Sequence, residues 1–582
     1  MGAEKDLRDH TMPLSGARTG NLSFVLLSII LIAVTFSFYA GSLTNEFVWD
    51  DNIFIVQNPF IHDFSHCREV LTRNVAHSSG ARNNFYRPVY SLLNMFNYVT
   101  GGGKPFVFHL TNIFLHAACS VLVFFLIFLI SRNVFIAFAT ALFFSAHPVQ
   151  TQAVTYIAGR ADPLYSVFVL CSIICFIVYM RNRRNILLYF VSLISFALAL
   201  LSKEVALVTP FLIALYLFSV ADDTGTRGKG KWLLTVPFFV VLASYLLTRA
   251  TVLDFSKTAF STLSLPALPF YVRALTACKA VFLYFRFLFY PVGFHMETHL
   301  AGSGSIMEVP TLMAVIGIVL VLLLFILFWK RSKLKFFGLA WFFIGLLPVL
   351  NLYPVNAFIA VHWLYLPCAG LFFLVNLVLW DLLQSRKTGG RNKVFLFLFI
   401  TLSAGAILGT LTYRKNMEWK DDETLYKSIL PYSQTPRVYI NLGNIYAGRN
   451  EFDKAVPCYL KALKIAPGQT EAYANLGYIY IEMGEHGKAE QVLLKAVEIS
   501  PKHANSHFNL GVAYANMGRN DKALEEINKA IELNPQHASA LNVKGKIYLR
   551  LGKRTEAKGA FSRSLRIKPD QPEIRNMLAR LK

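Results

Sequence analysis

Long apolar runs, separated by short polar segments, fill most of the first 413 residues of the chain. Most of these runs approach the length of about 20 residues that an α-helix needs to cross the hydrocarbon core of a bilayer. The pattern predicts an all-α, polytopic membrane domain at 21–413, with about eleven transmembrane helices after a tail at 1–20. The predicted spans are 21–41, 106–130, 134–150, 163–180, 186–201, 205–220, 232–250, 309–329, 336–353, 364–382 and 393–412.

Clusters of basic residues between alternate runs orient the predicted spans. Because Lys and Arg collect in the cytoplasmic loops of membrane proteins, we place these clusters and the tail at 1–20 in the cytoplasm. Residues after about 413 then lie on the exoplasmic side, together with the long loop at 42–105. The clusters are RNRR (181–184), RGKGK (227–231), KRSKLK (330–335), and SRK with RNK within 385–393.

One aromatic segment, at 267–291, does not fit this scheme as a span. It carries Arg273, Lys279 and Arg286, and counting it as a span would move the KRSKLK cluster to the exoplasmic side. We therefore expect this segment to lie in the membrane interface or to form a re-entrant helix.

A period of 34 residues replaces the apolar runs after residue 413. It is visible in NLGNIY (441–446), NLGYIY (475–480) and NLGVAY (509–514), and it is the period of tetratricopeptide repeats, which are pairs of antiparallel helices. The small residues of the pattern are expected where the two helices of a pair approach closely. The recurring positions are Gly443, Gly477, Gly511 and Gly545; Ala455, Ala489, Ala523 and Ala557; and Pro467, Pro501, Pro535 and Pro569. The predicted parts are a connecting half-repeat at 414–435, four repeats at 436–571 forming an α-solenoid, and a capping helix at 572–582.

Composition narrows the class of protein further. The chain is 55% hydrophobic with 50 Phe in 582 residues, which is typical of a membrane protein. The formal net charge is +23, but no basic face with interleaved aromatic residues appears after residue 413, so a nucleic-acid partner is not expected. The seven cysteines have no paired spacing, so neither a disulfide framework nor a zinc site is predicted.

Two adjacent carboxylates, Asp50 and Asp51, follow the first predicted span and lie beside Trp49 and Ile53. Ionisable residues next to apolar spans are costly and usually line a cavity. One of the pair could be a general base that the other orients, since apolar neighbours favour a poorly solvated base. Alternatively both could bind a divalent ion, or the pair could be a helix cap with a solvated acid. Between the two, we favour Asp51 as the base.

Basic side chains on the other predicted exoplasmic segments give the acidic pair its chemical context. Arg, Lys and His beside a carboxylate suit an anionic phosphate leaving group above the bilayer. Each of these basic side chains, taken alone, could instead contact lipid headgroups. Asp162 and Glu204 are expected to orient the cations rather than to act as bases. The candidate phosphate-binding residues are Arg87, His147, Arg160, Lys203 and His362.

The order of motifs along the chain resembles the transmembrane and tetratricopeptide-repeat family of protein O-mannosyltransferases. The motifs are FVWDD, YRP, FHLTNIFLHA (108–117), HPVQTQAV with GRAD, LSKE and WLYLP, followed by the repeats. The resemblance implies a GT-C type glycosyltransferase that takes a sugar from a polyprenyl-phosphate donor. In that family an acidic residue of the first exoplasmic loop is the base, and the matching positions here are Asp50 and Asp51.

The expected reaction transfers a hexose, mannose by the resemblance, to a Ser or Thr hydroxyl of a protein. One base and one leaving group suffice, so we expect inversion without a glycosyl-enzyme intermediate. Related enzymes work without a metal, so neither a metal nor another cofactor is expected.

Two departures from the family pattern bear on the site. The chain has Gln150, Thr151 and Gln152 where eukaryotic members often have His-Thr-Glu, which weakens any role for an acid at 152. It also has His362 and Trp363 where many relatives have Glu-Arg. A phosphate-binding arginine at that place must then be replaced by His362 or supplied from elsewhere.

The repeats are expected to bind acceptor polypeptides along their concave face. Asn441, Asn475 and Asn509 recur at one repeat position, and their amides could hold a peptide backbone without reading its sequence. This resembles the asparagine ladder of O-linked N-acetylglucosamine transferases, although there the catalytic domain is unrelated. The alternative is that these asparagines stabilise the repeats. The ladder breaks at Val543.

Other classes of function fit the pattern less well than an enzyme does. A non-enzymatic repeat scaffold would need only one or two spans, and a transporter would carry charges at the membrane midplane and repeats in its spans. A GT-C enzyme that modifies an envelope glycan or lipid remains an alternative within the same class. Short repeats and a single glycosylation sequon at Asn21 favour a bacterial inner membrane over the endoplasmic reticulum.

Overall fold

The computed structural model describes residues 17–75, 85–182, 184–221, 229–251, 268–298, 300–352, 357–385 and 390–581. These residues form helices and connecting loops, with no β-strand among them. They divide into two compact units, 1–425 and 426–582. The division falls within the predicted half-repeat at 414–435. Most of the predicted tail at 1–20 lies outside the described residues.

The first unit contains the apolar helices. In chain order these and the shorter α-helices are α1 (Ala17–Tyr39), α2 (Cys67–Thr72), α3 (Pro88–Gly101), α4 (Pro105–Ser131), α5 (Val134–Ala146), α6 (Thr151–Val154), α7 (Ala161–Arg181), α8 (Ile186–Ser202), α9 (Thr209–Ser219), α10 (Val236–Thr251), α11 (Phe270–Phe289), α12 (Val309–Arg331), α13 (Lys333–Leu346), α14 (Cys368–Gln384), α15 (Gly390–Asn416) and α16 (Asp422–Ile429), the last crossing the division. Short 3₁₀ or π turns flank many of them, at Ala40–Thr44, Asn52–Val56, Pro59–Ile61, Phe64–His66, Pro148–Gln150, Ile157–Arg160, Glu204–Val208, Lys229–Thr235, Leu347–Val349, Val361–Leu364 and Met417–Trp419.

Each of the eleven predicted spans coincides with a helix, and the membrane-protein class is confirmed. By length and composition, six of the described helices could cross a membrane, and a bent pair, Val134–Ala146 with Pro148–Val154, would make a seventh. The helices α8, α9, α13 and α14 have 11 to 17 residues, less than the roughly 20 that a full span needs. The six are Leu22–Thr44, Pro105–Ser131, Ile157–Arg181, Gly230–Thr251, Val309–Arg331 and Gly390–Trp419.

The segment predicted to lie in the interface, 267–291, forms α11, an unbroken helix of 20 residues. It is not among the helices that qualify as spans. Its aromatic residues pack against the bundle, for example Phe285 on Phe342 with ring centroids 5.2 Å apart. The expectation that it does not span is consistent with this helix, and its depth in the membrane stays a prediction.

Polar loops from distant parts of the chain meet at one end of the apolar helices. Asn45 Nδ2 donates a hydrogen bond to the carbonyl oxygen of Asn416 at 3.2 Å, and the Ala158 N–H donates to Asp51 Oδ1 at 2.7 Å. Hydrogen bonds of this kind connect parts of the segments 42–105, 147–162, 201–204, 351–367 and 413–422. These are the segments that the charge pattern places on the same side of the membrane.

The second unit is a series of antiparallel helix pairs with the predicted period. Its helices are α17 (Pro436–Gly448), α18 (Phe452–Ile465), α19 (Thr470–Glu482), α20 (His486–Ile499), α21 (Ala504–Asn516), α22 (Asn520–Leu533), α23 (Ala538–Arg550), α24 (Arg554–Ile567) and α25 (Pro572–Ala579). The recurring glycines lie where the two helices of a pair touch. A Cβ atom at Gly511 would lie 2.7 Å from Ile527 Cγ1, and one at Gly443 would lie 2.7 Å from Tyr459 Cε1. The predicted close approach is therefore confirmed.

Candidate active site

Asp51 is the enclosed member of the acidic pair, with no exposed surface. Its Oδ2 accepts a hydrogen bond from the Val48 N–H at 3.1 Å, and its Oδ1 accepts from the Ala158 N–H at 2.7 Å. Burial raises the pKa of Asp51 to about 8, although these hydrogen bonds and the nearby Arg160 favour the ionised form. Because backbone donors occupy both oxygens, Asp51 connects the loop at 42–105 to the turn that precedes α7.

Asp50 is half-buried and lies at the start of the helical turn that follows. Its backbone carbonyl accepts hydrogen bonds from the N–H groups of Ile53 and Phe54, at 3.0 and 2.9 Å. Its carboxylate lies near the Tyr156 phenol, and burial together with the charges of Asp50 and Asp51 raises the pKa of Tyr156 well above its usual value. Asp50 is more exposed than Asp51, and which of the two acts as a base stays a prediction.

Two ion pairs form a charged cluster beside α3, α7 and α8. The Arg87 guanidinium donates from Nε and Nη2 to the two oxygens of Glu204, at 3.0 and 2.6 Å. Lys203 Nζ donates to Asp162 Oδ1 at 2.6 Å, and both of these side chains are nearly fully buried. Each acid therefore holds one cation, which is the arrangement expected of orienting acids.

His362 belongs to the same charged cluster. Burial, together with the nearby charges of Lys203 and Arg87, lowers the pKa of His362 well below its usual value. Its backbone N–H donates to Gln152 Oε1 at 3.1 Å, so the residue that departs from the family pattern at 152 fixes the loop that carries His362. At neutral pH the imidazole is uncharged and offers one N–H donor.

Arg160 lies apart from that cluster, in a fully buried cage of amide oxygens. Its Nε donates to Asn112 Oδ1 at 2.8 Å, and its Nη1 donates to the side-chain oxygens of Asn94 and Asn97 at 2.9 and 2.7 Å. Its Nη2 donates to the Phe108 carbonyl at 2.7 Å. These contacts connect the turn before α7 to the helices α3 and α4, so Arg160 stabilises the packing of this turn against the two helices. Its predicted contact with a phosphate stays a prediction.

His147 also uses both ring nitrogens inside the protein. Nε2 donates to the Leu288 carbonyl at 3.0 Å, and Nδ1 accepts from the Val149 N–H at 3.2 Å. This arrangement caps the turn between α5 and α6, and the structure does not bring His147 to the ion pairs. Within the described ranges, no group of three or more His, Cys, Asp or Glu side chains is placed to hold a metal ion.

Three residues of this region were not singled out by the sequence pattern. Tyr90, on α3, is buried and lies near both Asp51 and Arg87, so it links the acidic pair to the charged cluster. Burial raises the pKa of Tyr90 to about 12, which keeps the phenol protonated. Tyr245, on α10, lies near Glu204 and near Arg249 of the same helix. Arg249 is an ionisable residue at the end of an apolar run, the criterion that selected the other cations, whereas no pattern distinguishes Tyr90 or Tyr245.

An apolar groove of about 620 Å³ runs along α11, α12 and α14 in the first unit. All of its lining side chains are hydrophobic apart from one glycine, Gly317, and they include Phe285, Val321 and Leu374. Tyr284, on α11 next to the lining residue Phe285, donates from its hydroxyl to the Ala360 carbonyl at 3.3 Å and accepts from the Ala360 N–H at 3.2 Å. Ala360 is two residues before His362.

The side-chain amides of the three recurring asparagines form hydrogen bonds within the solenoid. Asn441 Nδ2 donates to Tyr426 Oη at 2.8 Å, and Asn475 Nδ2 donates to Asn444 Oδ1 at 2.8 Å. Asn509 Nδ2 donates to the Ala474 carbonyl at 3.0 Å. In each case the amide donor reaches a helix earlier in the array, which supports the alternative that these asparagines stabilise the stacking of repeats. Their contact with acceptor peptide stays a prediction.

Apolar helices of spanning length, followed by paired helices with a 34-residue period, define a multi-pass membrane protein with a tetratricopeptide-type solenoid. A model of the Cilia and flagella-associated protein 70 C-terminal domain matches residues 402–582. Among solved structures, a crystal structure of MamA protein is 26% identical, covers 25% of this chain and 80% of that chain, and has a TM-score of 0.23. A thermophilic TPR protein of Thermus thermophilus is 22% identical, covers 31% and 96%, and has a TM-score of 0.25.

Over most of its length the chain is similar to proteins named protein O-mannosyl-transferase, which confirms the resemblance that its motifs predicted. The protein named F38B6.6 of Caenorhabditis elegans is 27% identical over 75% of this chain and 62% of its own length. The human protein named TMTC3 is 25% identical over 75% and 51%, and Tmtc1 of Drosophila melanogaster is 23% identical over 73% and 59%. The chain thus spans about half to three fifths of the length of these relatives.

Proposed function

We propose that the chain is a membrane glycosyltransferase that moves mannose from a polyprenyl-phosphate donor to Ser or Thr hydroxyls of proteins on the exoplasmic side. The observation that carries the proposal is the position of a half-buried carboxylate, Asp50, at the same end of the helices as two ion pairs and His362. The printed names of the relatives support the same reaction.

Asp50 accepts the proton of the acceptor hydroxyl while that oxygen attacks the anomeric carbon of the sugar. The bond between the anomeric carbon and the phosphate oxygen breaks, and its electron pair leaves with the phosphate. Attack from the face opposite the phosphate inverts the configuration, and no glycosyl-enzyme intermediate is needed. A neutral Asp51, with its pKa raised to about 8 by burial, lets Asp50 stay ionised beside it, because two adjacent carboxylates repel each other when both are charged.

The charged cluster stabilises the negative charge that develops on the leaving phosphate. The cluster contains two cations, Arg87 and Lys203, and each is paired with one carboxylate. Arg87 is the more exposed of the two paired cations, with 16% of its side chain exposed against 6% for Lys203. The two hydrogen bonds to Glu204 hold the Arg87 guanidinium in a fixed orientation. Such preorganised donors are most effective where water is excluded. His362 adds a neutral N–H donor.

The apolar groove is the proposed place of the polyprenyl chain. Its lining offers only hydrophobic contacts, and one wall is hydrogen-bonded to the loop that carries His362. A chain that lies in the groove would therefore end close to the cations that take its phosphate. Apolar contacts of this kind contribute about 0.8 kcal/mol per buried methylene group.

The acceptor is proposed to be a polypeptide, because helical repeats commonly present an extended surface to peptides. Since the asparagine amides are engaged inside the solenoid, peptide contact would fall to other side chains of the first helices of each pair. An envelope glycan or lipid is the alternative acceptor. We place no metal or other cofactor in the reaction.

The test measures transfer of labelled mannose from polyprenyl-phosphate-mannose to protein in membranes that contain the full chain. We expect Asp50→Asn to abolish transfer, because it removes the proton acceptor, while the protein remains inserted and donor still binds. Glu69→Gln, in an exposed part of the same loop, is the matched control and should keep full activity.

Full activity of Asp50→Asn would contradict the proposed base. If the wild type transfers mannose to glycans or lipids but to no protein, the acceptor class is wrong and the base assignment is tested on those acceptors. Absence of mannose transfer to every acceptor class, from a folded and inserted protein, would overturn the proposed reaction.

A further inference from the structure

The fourth tetratricopeptide repeat differs from the other three in charge. Residues 538–571 contain nine Lys and Arg against two Asp and Glu. The first repeat, 436–469, contains five against two, the second, 470–503, three against five, and the third, 504–537, three against four. The positive charge of the solenoid is therefore concentrated in its fourth repeat.

Four of these cations lie on the exposed face of α24. The opposite face of this helix is buried through Ala557, Ala560, Phe561 and Ser564. A Cβ atom at Gly559, between the exposed cations, would meet nothing within 4 Å. The cations are therefore accessible to a partner along the whole helix, whose 14 residues extend over about 21 Å. They are Arg554, Lys558, Arg563 and Arg566.

Acidic side chains of the protein neutralise little of this charge. Within the fourth repeat, the whole of which the structure describes, Lys546 is the one cation that forms an ion pair, with Glu573 at 2.9 Å. Arg563 donates to the Pro535 carbonyl at 3.3 Å, and none of the four cations on the exposed face of α24 pairs with a carboxylate. Because like charges on one face repel each other, an anionic partner would be attracted to this face.

The packing of the repeat does not require cations at these positions. Two periods of 34 residues earlier in the chain, Glu490 and Glu498 of α20 occupy the repeat positions of Lys558 and Arg566. A helix pair of this type therefore accepts a carboxylate at both places. The basic character of the exposed face of α24 is thus better explained by binding than by folding.

An acidic polypeptide segment fits this face better than a membrane or a nucleic acid does. Between its cations the face has only small side chains, namely Thr555, Gly559 and Ser562. It therefore offers neither the apolar residues that enter a bilayer nor an aromatic ring that could stack on a base. Carboxylates form strong hydrogen bonds with Arg and Lys, and an extended segment of about six residues would match the length of the helix.

We propose that the exposed face of α24 binds an acidic segment of a polypeptide, with Lys558 and Arg566 in the contact. The inference rests on the proposed function only for the role of that polypeptide, which is the acceptor; the binding itself requires no transfer. An acceptor bound in this way has a raised local concentration at the enzyme. The acidic segment therefore lowers KM for the acceptor.

The experiment measures binding to the full chain in nanodiscs of neutral lipid. The probes are a fluorescent peptide with a run of about eight Glu and the same peptide with Gln in place of Glu. We expect only the Glu peptide to bind, and less tightly as the salt concentration rises from about 0.05 to about 0.3 M. The double variant Lys558→Glu with Arg566→Glu should raise its Kd about tenfold or more, because both positions then repel the peptide.

The matched control is the double variant Lys464→Glu with Lys495→Glu. It changes the net charge of the chain by the same amount, at exposed positions of α18 and α20. Because distant surface charges are screened by salt, we expect its Kd to stay within about twofold of that of wild type. If the double variant of α24 fails to fold, Lys558→Gln with Arg566→Gln is measured in its place and should raise Kd about threefold.

Equal Kd values for the α24 variant and the control would overturn the inference, because binding would then follow net charge rather than this face. A second probe is a vesicle of phosphatidylcholine that contains phosphatidylglycerol. If these vesicles bind through Lys558 and Arg566 and the Glu peptide does not bind, the partner is a membrane surface and the inference is wrong.

The role of the polypeptide is tested in the mannose-transfer assay. A Glu run beside the acceptor serine should lower KM for the acceptor in the wild type and not in the α24 variant. Equal KM values with Glu and Gln runs in the wild type would show that the bound polypeptide is not the acceptor. The proposed function fails separately, as a chain that binds the Glu peptide but transfers mannose to no acceptor.

Discussion

Asp50 and Asp51 are neighbours in one loop, but they differ in burial and in the groups that surround their carboxylates. The backbone N–H groups of Val48 and Ala158 donate to the two oxygens of Asp51, whereas Asp50 is half-buried and lies near the Tyr156 phenol. The sequence shows only two identical residues side by side, so it cannot tell the two apart. The distinction arises from Ala158, which lies 107 residues away along the chain.

The burial of Asp51 predicts a pH dependence of stability. Its pKa is raised from 3.8 to about 8 by burial, so between these values the folded state holds a proton that the unfolded state has released. The contribution of Asp51 to stability is therefore greatest at low pH and is lost as the pH rises through about 8. We expect the Tm of the wild type in detergent to fall more steeply from about pH 6 to about pH 9 than that of Asp51→Asn.

Asp51→Asn is the appropriate comparison because it cannot ionise, although its amide places a donor opposite a backbone N–H and lowers the Tm at every pH. The quantity to compare is thus the slope against pH. Parallel slopes for the two proteins would show that Asp51 is already ionised at pH 6.

The Arg160 cage illustrates what a residue pattern cannot reveal. A lone arginine next to a predicted span suggests a ligand for phosphate, but its partners are Asn94, Asn97 and Asn112 on two other helices. Such amide oxygens are unremarkable in the sequence, since nothing marks which of them will face a common point. Candidate cations could therefore be selected from the sequence, whereas only the fold separates the fully buried Arg160 from the partly exposed Arg87.

At the scale of elements, the repeats were the easiest part to predict. A 34-residue period fixes the pairing of helices, and the bounds of α17 to α25 follow it closely. The membrane helices were predicted by position, but several are shorter than a full span. Apolar composition marks a buried helix and a lipid-facing helix equally, because both avoid water, so the sequence does not separate them.

Close packing inside the helix pairs predicts a large effect from a small substitution. In Gly511→Ala the new Cβ would lie 2.7 Å from Ile527 Cγ1 and 3.1 Å from the Ala523 carbonyl oxygen. Overpacking of this kind destabilises by about 1–3 kcal/mol. We expect the repeats of this variant to unfold at a lower temperature and to be cut sooner by protease than those of wild type, in the full chain in detergent.

Gly559→Ala is the control for this prediction. Gly559 lies in the interior of α24, and nothing lies within 4 Å of a Cβ atom built there. Alanine is favoured over glycine in a helix interior by roughly 0.5–1 kcal/mol, so this variant should equal or exceed the stability of wild type. Similar melting of both variants would contradict the close packing at Gly511.

At the scale of the whole membrane unit, the apolar groove predicts a preference for donors with long polyprenyl chains. Gly317 lines the groove, and a Cβ there would meet only Phe282, at 3.8 Å. Gly317→Phe should therefore fill the groove and displace part of the chain. Loss of two buried methylene groups would raise KM for a long-chain donor about tenfold, with little effect on a short-chain donor.

Leu320→Phe is the matched control, since it lies on the same helix with 56% of its surface exposed. It should leave KM for both donors unchanged. Equal KM values for long and short chains in the wild type would exclude the groove as the chain-binding surface.

The hydrogen bond from the Trp49 N–H to Asp422 joins residues that are 373 positions apart. A ribosome adding about 5–20 residues per second needs roughly 20–75 s to synthesise that interval. During this time the first loop lacks its partner Asp422, while the apolar helices between the two residues are synthesised and inserted into the membrane. The backbone next to the acidic pair therefore gains this hydrogen bond only when the chain has emerged past Asp422, after the apolar helices between these two residues have been synthesised.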